Sequence, residues 1–284
     1  QGKTYQVTMQ AIDNAGNETI VSIQAMVKGI ESAEEGITED INPKGATQQA
    51  KLTLSKKANI PAEYTIEYKI GANGTYTDYP AEDSVEAPTE ETAEGITITT
   101  NAPVYVRLKD ASGQTGEEKA IPVNNIDNID PEELNVEVTA TTNSITVKGT
   151  ATDRASAGAR PGIAGIKEYQ FILMDSEGTP LTEWIPLEQL PAEGEKAEYT
   201  FTLAHGVQQG KTYKVNMKAI DNAGNEATKY EENEENPEQI VEIEELEDST
   251  TKIVPSIEPT DATQGPVNVT FENNSTKEGL TLKY

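Results

Sequence analysis

The chain has 284 residues, a formal net charge of −27, 35% hydrophobic and 5% aromatic residues, and no cysteine. This length suits two to three modules of roughly 100 residues, and the strong negative charge excludes nucleic acid and anionic membrane surfaces as partners. Without cysteine, disulfides, thiolate metal sites and thiol nucleophiles are excluded. No apolar run approaches the roughly 20 residues of a membrane-spanning helix, so we expect no membrane insertion in this segment.

The first segment of the chain returns near its end. Gly2–Asn17, with the sequence GKTYQVTMQAIDNAGN, is repeated as Gly210–Asn225 with three substitutions at an offset of 208. A weaker match at an offset of 216 pairs the segments that begin at Asn42 and Glu258. A period of roughly 210 residues is too long for a solenoid unit and indicates a repeating pair of domains. We therefore expect the natural chain to continue in both directions, with neighbouring modules of the same longer chain as its partners.

The positions of the repeated segments divide the chain into four parts. We expect the last strands of one module at residues 1–29, a complete module of a second type at 30–126, a complete module of the first type at 127–245, and the first strands of the second type at 246–284. The acidic stretch at 231–248 has weak apolar spacing and is interpreted as a linker that contains a strand.

Alternation of apolar and polar residues predicts β-strands along the whole chain. In chain order the predicted strands are AKLTLS, YTIEYKI, GITITT, PVYVRLKD, EEKAIPV, NVEVTA, SITVKGTA, EYQFILMD, EYTFTLA and KTYKVNMKAI. In the last of these, Tyr213, Val215 and Met217 alternate with polar residues, which is typical of a strand with one wet face. Gly224 in the following DNAGN supplies the positive φ of a tight hairpin turn. No convincing helix is predicted, so the fold class is all-β, with tandem β-sandwiches.

These motifs resemble two kinds of bacterial surface module. GIAGIKEYQF, Trp184, YTFTL and GKTYKVNMKAIDNAGN resemble fibronectin type III-like modules of the DNAGN type. YTIEYKIGANGTYTDY, APVYVRLKDASGQTGE and VNNIDNIDP resemble the bacterial Ig-like modules that often alternate with them. The resemblance implies an extended rod of sandwiches in which Tyr5 and Tyr213 occupy the tyrosine-corner position and Trp184 is a core aromatic. It identifies architecture better than activity, because such modules serve many functions.

Calcium is the one cofactor that the residues suggest. Six residues with side-chain oxygens are candidate ligands, four in the segment NNIDNIDPE and two in the DNAGN turns: Asn125, Asp127, Asn128, Asp130, Asp13 and Asp221. The oxygen-rich spacing of the first four is similar to that of cadherin-type linkers, where Ca²⁺ would stiffen a junction between modules. The alternative is that aspartate and asparagine act here as ordinary turn residues.

No catalytic site is predicted. His205, the single histidine, has no serine or cysteine partner at a suggestive spacing and is interpreted as a turn residue. Among 49 acidic residues, no pair stands out as the acid and base of a glycoside hydrolase. We therefore expect a chain that is not an enzyme.

The leading functional interpretation is a structural stalk or spacer of a repetitive bacterial surface or secreted protein, which presents a distal domain. One alternative is an adhesin module that binds a host or cell-wall glycan or protein through an end loop, with Thr152–Gly165 as the best location. In that case Tyr76 and Tyr79 could also form a strip that stacks on sugars. The other alternative is a subunit of an extracellular filament or a phage fibre. All three interpretations place the chain outside the cell or at its surface.

Overall fold

The structure, a computed structural model, describes residues 3–27, 29–79, 95–230, 239–245 and 252–275. It is nearly all β, with 49% strand and 4% helix, and its sheets are antiparallel. The predicted all-β class is therefore confirmed. No helix in this described part of the chain is long and apolar enough to cross a membrane.

The chain forms two compact units, and each is assembled from more than one stretch of sequence. Unit 1 comprises Gln1–Asp130, Asp153–Gly165 and Asp221–Asn225. Unit 2 comprises Pro131–Thr152, Ile166–Ile220 and Glu226–Tyr284.

The regular elements of unit 1 lie in its first stretch. They are β1 (Thr4–Ile12), β2 (Glu18–Met26), α1 (Ala33–Gly36), β3 (Ile37–Asn42), β4 (Ala50–Lys56), β5 (Thr65–Ile70), β6 (Thr77–Asp78), β7 (Ile96–Ile98), β8 (Val104–Lys109) and β9 (Lys119–Ile121). Strands β1 and β2 form a separate hairpin, and the others form two sheets with the orders β3-β4-β7 and β6-β5-β8-β9.

The core of unit 1 lies between these two sheets. Alternate residues of β4 and β8 face inward, because successive side chains of a strand point to opposite faces. Leu52 and Leu54 of β4, and Val104, Val106 and Leu108 of β8, are at most 3% exposed. This packing of two sheets over one apolar layer is a β-sandwich.

Unit 2 is built in the same way from later strands. They are β10 (Glu132–Ala140), β11 (Ser144–Thr152), β12 (Ile166–Asp175), β13 (Ile185–Pro186), β14 (Ala197–Thr202), β15 (Thr212–Asp221), β16 (Glu226–Thr228), β17 (Ile240–Glu242), β18 (Ile253–Glu258) and β19 (Asn268–Asn273). One sheet has the order β10-β11-β14, and the other has the order β13-β12-β15-β16 with β17 also paired to β15. Strands β18 and β19 form a hairpin.

Aromatic and sulfur-containing side chains fill the core of unit 2. Phe171, Phe201 and Met217 are all 0% exposed. Gly149 in β11 makes room for Met217, since a Cβ at this position would lie 2.1 Å from the Met217 sulfur. The glycine of the predicted strand SITVKGTA is therefore a packing requirement.

The tyrosine-corner prediction is confirmed in unit 2. The Tyr213 hydroxyl donates to the Gly206 carbonyl oxygen at 3.0 Å and accepts from the Gln208 backbone N–H at 2.7 Å. Tyr5, at the equivalent position of the first copy, is 51% exposed. The prediction that Trp184 is a core aromatic is wrong, because its side chain is only half-buried and stacks beneath the Lys218 ammonium, 5.1 Å from the ring centroid.

Two short helical turns were not predicted from the sequence. One is α1, where the Ser32 hydroxyl accepts from the Glu35 backbone N–H at 3.4 Å. The other is a 3₁₀ turn at Leu203–His205. A single turn presents too few residues for a helical period to be visible in the sequence.

The acidic stretch that was interpreted as a linker is described only in part. Residues 231–238 and 246–248 lie outside the described residues. Between them, β17 pairs with β15 through Val241 and Tyr213, and Ile243 is completely buried in the core of unit 2. The strand expected within this stretch is therefore present.

A candidate metal centre of three aspartates

Four tight turns share one hydrogen-bonding pattern around an aspartate. In each, the carboxylate accepts from the backbone N–H groups two and four residues later, at 2.8–2.9 Å. The glycine three residues after the aspartate has a φ between 83° and 91°, as a left-handed turn position requires. The aspartates are Asp13, Asp110, Asp175 and Asp221.

The local hydrogen bonds of such a turn favour the charged carboxylate. At the exposed Asp13, the side-chain amide of Asn17 is the largest cause of a pKa below the usual value, and the backbone N–H groups act in the same direction. The turn itself is therefore a good place for a negative charge.

Asp221 differs from the other three because it is completely buried and has two acidic neighbours. One carboxylate oxygen from each of Asp127, Asp153 and Asp221 lies within 4.8 Å of the other two. Asp127 and Asp221 are both 0% exposed, and Asp153 is partly buried. We call these three residues the aspartate cluster. All of them belong to unit 1.

Asp127 is held by one of its oxygens only. Its Oδ1 accepts from the backbone N–H and the hydroxyl of Ser156, at 2.9 and 3.1 Å, and from the Ile129 N–H at 3.3 Å. Its Oδ2 is buried and has no hydrogen-bond partner. Burying a carboxylate oxygen without a partner costs free energy, because the oxygen loses its hydrogen bonds to water and no protein group replaces them.

Asp153 shows the same division between its oxygens. Its Oδ2 accepts from the Gly165 N–H at 2.5 Å, and its Oδ1 is buried without a hydrogen-bond partner. Burial raises the pKa of this carboxyl above its usual value, and the negative charges of Asp221 and Asp127 raise it further.

Asp221 is linked to the rest of the cluster through an asparagine. The Asn225 amide donates to Asp221 Oδ2 at 2.7 Å and to the Asp127 carbonyl oxygen at 3.2 Å. The turn is thereby fixed against the segment that carries Asp127.

The three carboxylates repel one another. Two unit charges 4.8 Å apart in a medium of effective dielectric constant about 20 repel by about 3 kcal/mol. This repulsion adds to the cost of burying the charges, so the fully ionised cluster requires a compensating positive charge.

The loop Asp153–Gly165, which completes the cluster, is fastened within unit 1 at several points. Arg160 donates from its backbone N–H to the Asn124 carbonyl at 2.8 Å and from Nη2 to the Lys44 carbonyl at 2.7 Å. The Asn101 amide donates to the Ala157 carbonyl at 3.2 Å. Much of the loop that was considered as an adhesive site is thus engaged in internal contacts.

Two of the six predicted calcium ligands converge in the cluster, namely Asp127 and Asp221. The third member, Asp153, was not predicted as a ligand. It lies directly after β11, at the start of the long loop TDRASAGARPGIAG, and no short-range spacing connects it to the other two. The signal that could have found it is an acidic residue at a strand end beside an unusually long loop.

The structure places the other four predicted ligands elsewhere. The Asn125 amide donates to the carbonyls of Pro43 and Gly45, and the Asn128 amide donates to that of Thr99. Asp130 is exposed, and Asp13 lies in the exposed β1–β2 turn. Whether a metal binds stays a prediction.

The tyrosines considered for sugar stacking are occupied by internal contacts. The Arg107 guanidinium lies over the Tyr76 ring, 3.6 Å from its centroid, and the Tyr79 hydroxyl accepts from the Leu54 N–H at 3.1 Å.

His205 lies in the 3₁₀ turn, where its Nδ1 accepts from the Thr202 N–H at 3.0 Å. The interpretation as a turn residue agrees with this position.

No family model and no curated protein matches the chain. Among solved structures, it is similar to the chicken CNTN1 FN1-FN3 domains, at 10% identity over 78% of this chain and 76% of that chain, with a TM-score of 0.30. It is also similar to S-layer protein SbsC, domains 7, 8 and 9, at 10% identity over 80% and 68%, with a TM-score of 0.25. A chain of a cytokine receptor complex matches at 14% identity over 66% and 85%, with a TM-score of 0.23. All three TM-scores are below 0.5, so these likenesses define neither the fold nor the function of this chain.

Proposed function

We propose that the chain is a non-enzymatic spacer, a stalk segment of a long repetitive bacterial surface or extracellular protein that presents a distal domain. The observation that carries this proposal is a repeated strand and turn. Strand β1 with its turn and strand β15 with its turn are 208 residues apart, differ at three of sixteen positions and make the same turn hydrogen bonds. A chain that reuses one building element at a long period grows by adding modules.

The composition of the units supports the same function. Each unit has its own apolar core, as expected of a chain built from modules. The net charge of −27 makes neighbouring chains repel each other, which opposes bundling.

The internal hydrogen bonds of the loop Asp153–Gly165 favour the spacer function over the adhesin function. This loop was the best location for a binding site, and Ser156, Ala157, Arg160 and Gly165 are all held by hydrogen bonds within unit 1. An adhesive loop has to keep its polar groups available for the ligand.

A surface-display experiment tests the proposal. One, two and three tandem copies of residues 30–245, which hold the two complete modules, are placed between a bacterial anchor and a fluorescent tip, and the distance of the tip from the membrane is measured by super-resolution microscopy. We expect an equal step for each added copy. The control is a Gly/Ser linker of equal residue number, whose reach grows only as about the square root of its length.

Two results would contradict a spacer. One is a reach that follows the Gly/Ser series, because the modules would then hold nothing away from the surface. The other is saturable binding of the purified chain, without a tip, to host cells or cell-wall glycans, which would favour the adhesin.

A further inference from the structure

We propose that Asp127, Asp153 and Asp221 bind one Ca²⁺ ion within unit 1. The proposal goes beyond the spacer function and does not rest on it, because a metal at this place would be needed equally by an adhesin or a filament subunit.

The spacing of the carboxylates fits a single ion. Calcium binds oxygen ligands at about 2.3–2.6 Å, so two ligands on opposite sides of one ion are separated by about 5 Å. One oxygen of each aspartate lies within 4.8 Å of the other two. All three can therefore contact the same ion without movement of the backbone.

The second observation is independent of the acidity of the cluster. Asp127 is 0% exposed, yet its Oδ2 has no hydrogen-bond partner, and the Oδ1 of Asp153 is likewise buried without a partner. Buried polar atoms are normally satisfied, so an unpartnered oxygen among like charges points to a missing cation.

The same side chains are already oriented for binding. On Asp127 and Asp153, one oxygen is fastened by backbone N–H groups and the other is left over for a ligand. Asp221 is held by the backbone of its own turn and by the Asn225 amide. Hydrogen bonds of this kind around the ligands fix their direction and raise metal affinity.

The three carboxylate donors favour calcium over other metals. All three donors are carboxylate oxygens, which suit hard cations, and the chain has no cysteine to attract zinc. Magnesium keeps several of its waters and demands a regular octahedron, whereas calcium accepts irregular arrangements rich in protein oxygens. Two donors that are completely buried favour calcium.

Calcium would join three distant parts of the sequence inside unit 1. Asp127 follows β9, Asp153 begins the long loop, and Asp221 begins the turn after β15. An ion that binds only the folded arrangement stabilises it in proportion to its concentration. We therefore expect unit 1 to be more stable with calcium than with a chelator.

Isothermal titration calorimetry and thermal unfolding of the full chain test this. After treatment with EGTA, the wild type should bind one Ca²⁺ with a dissociation constant of about 10⁻⁵–10⁻³ M, and its Tm should rise with CaCl₂. Asp153→Asn and Asp221→Asn should each weaken this binding at least about tenfold. In EGTA, Asp153→Asn should leave Tm unchanged or raise it, because one buried charge is removed. A purely structural role for Asp153 would lower Tm in both conditions.

The chain supplies its own matched control. Asp13→Asn removes the same charge from the same turn as Asp221→Asn, but at the exposed copy, and should not change calcium binding. No CaCl₂-dependent heat or Tm shift in the wild type would overturn the proposal. So would cluster variants that bind calcium as tightly as the wild type, or magnesium binding at least as tight as that of calcium.

Discussion

Asp13 and Asp221 occupy the same turn in two environments. Both accept from the backbone two and four residues later and from the side-chain amide of an asparagine, although one is exposed and the other completely buried. The local sequence DNAGN is therefore sufficient for the turn. What the buried copy adds is proximity to Asp127 and Asp153, and this comes from long-range contacts.

Tyr213 provides a second comparison between the copies. Tyr213→Phe should lower the free energy of unfolding of unit 2 by about 1–2 kcal/mol, because the Gly206 carbonyl and the Gln208 N–H each lose a partner. Chemical denaturation of the full chain measures this. Tyr5→Phe is the matched control and should leave the free energy of unfolding unchanged. An equal effect of both variants would show that the hydrogen bonds of the Tyr213 hydroxyl do not contribute to the stability of unit 2.

At the residue scale, sequence reasoning works where a side chain acts on its own neighbours and fails where the partner is far along the chain. The turn aspartates and the tyrosine corner belong to the first kind. Asp153 belongs to the second, since 26 residues separate it from Asp127 and 68 separate it from Asp221. The resemblance implied that Trp184 is a core aromatic, but the structure shows that Trp184 is only half-buried, whereas Phe171 and Phe201 are completely buried.

At the scale of elements, β5 and β8 are joined by a row of charged side chains. Glu67 is 9% exposed and pairs with Arg107 and Lys109, each at 2.8 Å. Burial raises the pKa of Glu67, but hydrogen bonds from Lys109 and Arg107 outweigh this, so the pKa lies below the usual value. The ionised form therefore stabilises the pairing of the two strands.

Glu67→Gln should cost about 1–2 kcal/mol near pH 7. Because the pKa of Glu67 is lower in the folded state, its stabilisation is fully present above the unfolded-state pKa of about 4.3 and is lost as pH falls through the folded-state pKa. The stability difference between wild type and variant should therefore shrink on acidification, which urea denaturation at a series of pH values can follow. Asp40→Asn, in an exposed pair with Lys44, should stay within about 0.5 kcal/mol.

The strands that the sequence predicted are those with clear alternation, such as β4, β8, β11 and β15. The strands that it missed carry little pattern. β6 and β13 have only two residues each, and β3 has the sequence ITEDIN, in which only Ile37 is buried and Ile41 is half-buried. Such elements form because a neighbouring strand offers hydrogen bonds, and a single sequence does not show that neighbour.

At the scale of the whole molecule, two apolar cores account for the two units. The core of unit 1 runs from Ala33 to Ile126, and that of unit 2 runs from Ile145 to Ile243. Among the residues that the structure describes, none belongs to both clusters. Each unit should therefore have its own stability.

Leu52 and Leu173 form a matched pair for testing this, because both are 0% exposed leucines, one in β4 and one in β12. Leu52→Ala should cost about 2–5 kcal/mol and lower hydrogen-exchange protection in the strands of unit 1 only. Leu173→Ala should do the same in unit 2 only. Loss of protection in both units from either substitution would show that the two cores unfold together.

The repeated strand and turn also have a consequence for the gene. The two segments share thirteen of sixteen residues 208 positions apart, and where their codons are shared as well, the two stretches of DNA are partners for unequal homologous recombination. An exchange within them would rejoin the strand of one copy to the turn of the other, so the reading frame and the turn would be retained. Such an exchange changes the length of the chain in steps of one repeat, without any step that requires a new fold.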